Sequence, residues 1–188
     1  MKKQEIMDLL ERKGAIQKGH FLLSSGRHCD TYLQTAKILQ FPKLTKKLAR
    51  EIAENYPKVD VVVSPALGGI ILGFAVAEAL GCRMIFTERE NGKMQLRRGF
   101  NLRKDERVLV VEDVVTTGKS IKEVLDIVKE KKANLVGIAT LIDRGDQKVF
   151  SEAPTSLIKL SIKSHVPQQC RFCKDETPLV APGSRQKA

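Results

Sequence analysis

The sequence predicts an α/β fold with a mostly parallel central sheet flanked by helices. Short, apolar, β-branched segments recur near residues 59, 84, 108 and 135, and stretches of helical periodicity alternate with them. Glycine or proline punctuates the joins: Pro57 before the first segment, Gly68-Gly69 after it, Gly118 after the third. The chain has 188 residues, 42% of them hydrophobic, and no linker-like stretch divides residues 1 to 160. One domain spanning 1–188, with one substantial core, is therefore expected.

Each element has its own signal. Ile6, Leu9 and Leu10 lie at helical spacing among charges, and Gly14 ends that helix. An extended apolar segment then meets the turn Ser24-Ser25-Gly26, followed by a strand around Tyr32 and Leu33. Phe41-Pro42 opens a helix through Asn55, which Pro57 breaks. Val59 to Val63 reads as a buried strand, Ser64 to Gly69 as a turn and Ile70 to Leu80 as a helix, with Met84 to Thr87 as the next strand. Beyond residue 107 come a strand from Val108, a helix from Lys119 to about Lys132, and a strand from Asn134 to Ile142. That helix carries Ile121, Val124, Leu125 and Val128 on one face. Ser156 to Ile162 is the last strand, and the tail APGSRQKA is expected to be frayed.

The chemistry concentrates at Val108 to Ser120, VLVVEDVVTTGKS. A buried strand leads to adjacent carboxylates, Glu112 and Asp113, then to the turn Thr116-Thr117-Gly118 and a helix opening at Lys119-Ser120. Such a turn offers free backbone N–H groups, two hydroxyls and the positive end of a helix dipole, and Gly118 lets an anion come close. The carboxylates repel phosphate but accept hydrogen bonds from sugar hydroxyls. Sugar and phosphate together suggest a phosphorylated ribose. The stretch TTGKS is not the end of a nucleotide-binding P-loop, whose pattern needs glycine where Asp113 stands. A plain strand-to-helix turn with a threonine cap is the competing reading.

Three further stretches could hold ligands. Backbone amides of the turn ending in Gly68-Gly69 can bind pyrophosphate, although a Gly-Gly helix start is weak evidence alone. Residues 88–107 hold seven Lys or Arg and two glycines without sustained periodicity. They read either as a solvated basic hairpin or as a mobile lid over a diphosphate, with Arg89, Lys93, Arg97 and Arg98 as anion contacts and Gly92 and Gly99 as hinges. Arg144 follows a strand at the edge where ligands bind in open α/β sheets, although a lone arginine there is often a surface ion pair.

The net charge of +11, with an isoelectric point near 9.6, raises nucleic acid or an anionic membrane surface as partners. There is no Trp, however, there are only two Tyr, and the basic residues are spread along the chain. The charge suits a polyanionic small substrate, so neither nucleic acid nor membrane is expected. No run of 18 apolar residues occurs and acids interrupt the N-terminal amphipathic pattern, so a cytoplasmic protein is expected. Four cysteines are too sparse for a disulfide framework. His165 with Cys170 and Cys173 makes only part of a zinc site, so a thiol pair without metal is expected there.

VLVVEDVVTTGKS closely resembles the phosphoribosyl-diphosphate (PRPP) signature of the type I phosphoribosyltransferases, and FLLSSG resembles the F-x-L-x-S-G segment of their orotate branch. The resemblance spans roughly residues 14 to 165 and is strongest at 108 to 120. It implies a core at about 41–149, a hood over the base from about 1–40 and 150–180, and a flexible lid at about 88–107. It implies transfer of phosphoribose from PRPP to orotate, with Mg²⁺ as cofactor held mainly by PRPP rather than by protein ligands. Thr116, Thr117, Gly118, Lys119 and Ser120 would hold the 5′-phosphate. Ala66, Leu67, Gly68 and Gly69, with Arg97 and Arg98, would hold the pyrophosphate. Glu112, Asp113, Arg89 and Lys93 would be catalytic, while Ser25, Gly26, Thr116 and Arg144 would receive orotate. A homodimer with the lid shared between subunits is implied as well.

Two departures stand out. Ser24 occupies a position that is often lysine in the better-known bacterial enzymes, and the lid reads ER-x-x-G-x-M-x-L-R-R-G-F where many orotate enzymes have R-K-x-x-K-x-H. Two other functions stay open: a purine or xanthine phosphoribosyltransferase with the same PRPP site, and a non-catalytic regulator of this fold that binds nucleic acid.

Overall fold

The computed structural model describes residues 1–23, 25–145, 150 and 153–182, so Ser24 and the tail from 183 lie outside the described residues. Helix α1 (Lys3–Arg12) buries Ile6 and Leu10 one turn apart, and Gly14, at φ +67°, turns the chain into the first hairpin. That hairpin is β1 (Ile16–Leu22) against β2 (His28–Leu33), with Ile16 opposite Leu33 and Leu22 opposite His28. Helices α2 (Ala36–Leu39) and α3 (Pro42–Ala53) follow, and proline at the first turn of α3 gives up an N–H that has no helical partner anyway.

The core is then laid down as strand and helix in alternation. Strand β3 (Val61–Pro65) leads to α4 (Gly68–Leu80), β4 (Arg83–Glu90) pairs back on β5 (Lys93–Leu96), and β6 (Arg107–Val115) leads to α5 (Lys119–Glu130). After β7 (Asn134–Asp143) and β8 (Thr155–Lys159) come β9 (Ser164–His165) and the short helix α6 (Arg171–Lys174). The main sheet runs β5-β4-β3-β6-β7-β8, with all neighbours parallel except the edge pair β4–β5.

The apolar runs are continuous because both faces of the sheet are covered. Val62, Leu109 and Val111 face Leu48 and Ile52 of α3 and Leu72 and Val76 of α4. Val61, Val63, Val108 and Val110 face Ile121, Val124 and Val128 of α5. Leu109 is fully buried, and its truncation to alanine is expected to cost about 2–5 kcal/mol. A second, three-stranded sheet, β1-β2-β9, packs Phe21, Cys29 and Ile162 together as a hood. The parallel strands all end at one edge, where open α/β sheets bind ligands.

One segment differs from the sequence reading, and another decides between two readings the sequence left open. Strand β6 runs on to Val115, with Glu112 opposite Thr140 and Val114 opposite Ile142, so the acid pair lies inside the strand and not after it. Of the two readings of 88–107, the hairpin is formed, by β4 and β5 across Asn91-Gly92, whose φ angles of 50° and 78° suit a tight two-residue turn, while residues 97–106 carry no strand or helix. No helix among the described residues is long and apolar enough to cross a membrane.

Candidate active site

At the carboxyl edge of the sheet, β6 presents Glu112 and Asp113 to the start of α4. Asp113 accepts a hydrogen bond from Thr35 Oγ1, and its backbone carbonyl accepts one from Thr140 Oγ1 at 3.1 Å. The first of these ties the hood to the core. Glu112 is 9% exposed, and its Oε1 accepts from Asp113 N–H at 3.1 Å. Burial, then the charge of Asp113 and the contact with its side chain, push the Glu112 carboxyl well above the usual range. Among the described residues neither acid has a salt-bridge partner.

The glycines that open α4 are there because of these acids. A Cβ at Gly68 would stand 2.6 Å from Asp113 Oδ1, and one at Gly69 would stand 3.0 Å from Glu112 Oε1. Only bare backbone lets the helix start sit against the pair. The peptide between Ala66 and Leu67 is cis.

The threonine cap expected of a plain turn is not made. Gly118, at φ 70°, precedes the first residue of α5, no side chain caps the helix, and Lys119 N–H reaches Thr117 Oγ1 only at 3.5 Å. The first-turn amides of α5 are therefore available to an anion. They open onto a cleft of about 470 Å³ lined by Glu112, residues 114–121, Arg89 and Gly92, a size that suits a small ligand.

Other candidate residues fall into two groups. Arg144 sits beside the turn, its N–H donating to Val115 O at 2.8 Å, and a Cβ on Gly145 would stand 3.3 Å from Thr116 O. Arg89 lines the cleft, yet it is engaged by Glu123 of α5 through a two-pronged pair and by Gly92 O at 3.0 Å. Arg97 pairs with Glu90 at 2.9 Å and Arg98 with Glu88 at 3.1 Å, while Lys93 is exposed. The edge thus gathers residues 66–69, 112–113, 116–120, 144 and Arg89. Ser25 and Gly26 remain at the tip of the hood hairpin, and among the described residues no hydrogen bond links them to the acid pair. Sequence reasoning missed Thr35 and Glu123, for which only the tertiary fold supplies a signal.

Residues 32–172 match the phosphoribosyl transferase domain. The chain belongs to that family. The resemblance carried by residues 108–120 is borne out, and so is the α/β fold expected of this phosphoribosyltransferase. An orotate phosphoribosyltransferase of Caldanaerobacter subterraneus subsp. tengcongensis is 49% identical over 189 residues, covering 99% of this chain and 100% of that protein. The crystal structure of orotate phosphoribosyltransferase from Aeropyrum pernix superposes with a TM-score of 0.71 at 24% identity, covering 82% of this chain and 93% of that one. An adenine phosphoribosyltransferase from Rhodothermus marinus has a TM-score of 0.68 at 18% identity, covering 84% and 99%. The fold is thus shared across base specificities and does not select the base.

Proposed function

We infer that this phosphoribosyltransferase transfers the 5-phosphoribosyl group of PRPP to orotate, giving orotidine 5′-phosphate and pyrophosphate, a step of pyrimidine synthesis. The observation that carries the choice of base is the near-half identity, along the whole chain, to an enzyme that acts on orotate.

The chemistry follows from the charges. The free amides of α5 with Thr116, Thr117 and Ser120 hold the 5′-phosphate, and Lys119 adds charge. Pyrophosphate lies along the backbone at Ala66 to Gly69, with Arg97 and Arg98 released from Glu90 and Glu88 as the hairpin closes. As the C1–oxygen bond breaks, the anomeric carbon gains positive charge. Glu112 and Asp113 hold the ribose hydroxyls, and the Asp113 carboxylate favours that charge. Arg89 and Lys93 approach the leaving group from the lid. Orotate, its carboxylate forked by Arg144 and its ring beneath Ser25 and Gly26, attacks through the N1 anion without a general base.

Mg²⁺ fits the site as an ion carried by substrate. Asp113 is already bonded to Thr35, and burial favours protonated Glu112, so PRPP oxygens are the better ligands. When bound, Mg²⁺ would supply positive charge against the diphosphate, while the residues of this chain hold the sugar and phosphates. The enzyme works in the cytoplasm, and its positive charge serves anionic substrates rather than nucleic acid or membrane. A homodimer is supported by Leu67, just before α4, and Ile71 and Phe74 on it, which lie at helical spacing and are 83%, 49% and 65% exposed.

The test is loss of orotate absorbance when the protein meets PRPP and Mg²⁺, beside uracil, hypoxanthine, guanine, xanthine and adenine. Orotate-only turnover is expected. Purine turnover would overturn the base assignment, and silence on every base together with salt-sensitive nucleic-acid binding would favour a regulator. Recovered activity on mixing an Asp113 variant with a lid variant is expected if subunits share the lid.

A further inference from the structure

A second cluster of chemistry lies in the hood, outside the cleft. His20 on β1, His28 on β2, and Cys170 and Cys173 at α6 aim their ligand atoms at one point, all within 4.8 Å of one another. His20 Nε2 is 2.9 Å from His28 Nδ1 and 3.4 and 3.7 Å from the sulfurs of Cys170 and Cys173. His28 Nδ1 is 3.2 Å from Cys173 Sγ. With metal–nitrogen bonds near 2.0 Å and metal–sulfur bonds near 2.3 Å, a tetrahedral zinc shell has ligand-to-ligand edges of about 3.3–3.8 Å. The four atoms already stand close to the corners of one such shell.

The surroundings agree with a metal. His20 Nδ1 lies 2.8 Å from Thr177 O, which can only accept, so Nδ1 carries the proton and Nε2 turns a lone pair inward. His20, His28 and Cys170 are 3%, 5% and 1% exposed, while Cys173 closes the solvent side. Two imidazoles and two thiols are a poor filling for a buried space, whereas two thiolates and two neutral imidazoles balance a divalent cation. His165, which sequence proximity puts beside the cysteines, is exposed on β9 and pairs with His28 through the backbone ladder.

We propose that His20, His28, Cys170 and Cys173 bind one zinc ion. Binding releases the two thiol protons to solvent. Four protein ligands leave no open position, so the site is structural. It fastens the C-terminal segment to the hood hairpin, where Val180 N–H donates to His20 O and Leu22 N–H donates to Val180 O, both at 2.9 Å, and Phe172 stacks on His20. The site replaces the metal-free thiol pair expected from the sequence. It does not rest on the choice of orotate.

The test uses tag-free protein purified under reducing conditions and measures zinc by mass spectrometry. One zinc per chain is expected. After the zinc is stripped, added Co²⁺ should give the visible bands of a tetrahedral ion and a thiolate charge-transfer band. Cys173→Ser, at the surface, should lose both signals, whereas Cys82→Ser should keep them. Removal of zinc should lower the thermal midpoint of the wild-type chain. Folded, reduced wild-type protein with neither zinc nor a tetrahedral Co²⁺ spectrum would overturn the proposal, whatever the variants do. A Cys170–Cys173 disulfide in protein isolated without oxygen would overturn it too.

Discussion

The two ends of β6 carry the same residue types in opposite electrostatic settings. At the amino end, Arg107 donates to Asp60 from its backbone N–H at 2.8 Å and from its guanidinium at 2.6 Å, and Arg83 grips Glu106 at 2.7 Å. The hydrogen bonds from Arg107, side chain first and then backbone, bring Asp60 down to about 2. Burial alone would raise Glu106, but the Arg103 N–H and the Arg83 guanidinium outweigh it and hold the carboxyl below its ordinary value. At the carboxyl end Glu112 and Asp113 have no such partner among the described residues, and Glu112 is pushed the other way. The acids at one end are satisfied within the protein. Those at the other end are arranged for something that arrives.

The comparison breaks most sharply at Asp113. Asp113→Asn keeps the size and a hydrogen bond to Thr35 while removing the charge. Turnover with PRPP and orotate should fall by about 100-fold or more, with the thermal midpoint little changed. Turnover within threefold of wild type would show that the pair is not reserved for substrate. Gly68→Ala tests the same end by geometry. Its Cβ would stand 2.6 Å from Asp113 Oδ1, so the carboxylate or the helix start must shift, and kcat should fall roughly 10- to 100-fold in a chain that still folds. Unchanged kcat would mean that the close approach serves packing alone.

Much of this edge was legible because its signals are local. Strand, acid pair, glycine turn and helix are consecutive from Val108 to Lys119, and hydrophobic period and turn chemistry read them directly. The extent of β6 was not legible. Val114 and Val115 read as easily as turn approach as strand, and pairing with Ile142 and Asp143 decides for strand. The hairpin was legible only as one of two readings of a stretch dense in charge, and Asn91-Gly92, the strongest short-range signal for such a turn, was the residue pair that could have decided between them. The role of Gly68 could not be read, since what it avoids is a carboxylate 45 residues away in the chain. The hood cluster is the extreme case. His20 and His28 meet Cys170 and Cys173 only through the fold, so spacing pointed to His165 instead.

Arg144 sharpens the comparison from the base side. It stands beside Thr116 at the end of β7, where a fork of two charge-assisted hydrogen bonds would read a carboxylate. Arg144→Ala should raise the KM for orotate about 10-fold or more and leave the KM for PRPP within about twofold. Equal weakening of both substrates would place Arg144 on the phosphate and not on the base.

The smallest effect belongs to the satisfied end. Asp60→Asn should leave turnover unchanged, since the pair sits at the edge of the sheet opposite the cleft, and should lower the urea midpoint only slightly, because both side chains are about two-fifths exposed. The pH dependence carries the information. The folded-state value of Asp60 is about 2 against an ordinary 3.8, so its contribution is fully present above about pH 4 and is lost as pH falls toward 2. The difference between wild type and variant should therefore narrow between about pH 4 and pH 2. Glu112 runs the other way: its raised value favours the protonated form in the folded chain, so the contribution is largest at low pH and is lost as pH rises through the folded value. A gap between wild type and Asp60→Asn that stays constant over that range would mean that the Arg107 pair does not hold Asp60 down in solution, and the contrast between the two ends of β6 would then rest on burial alone.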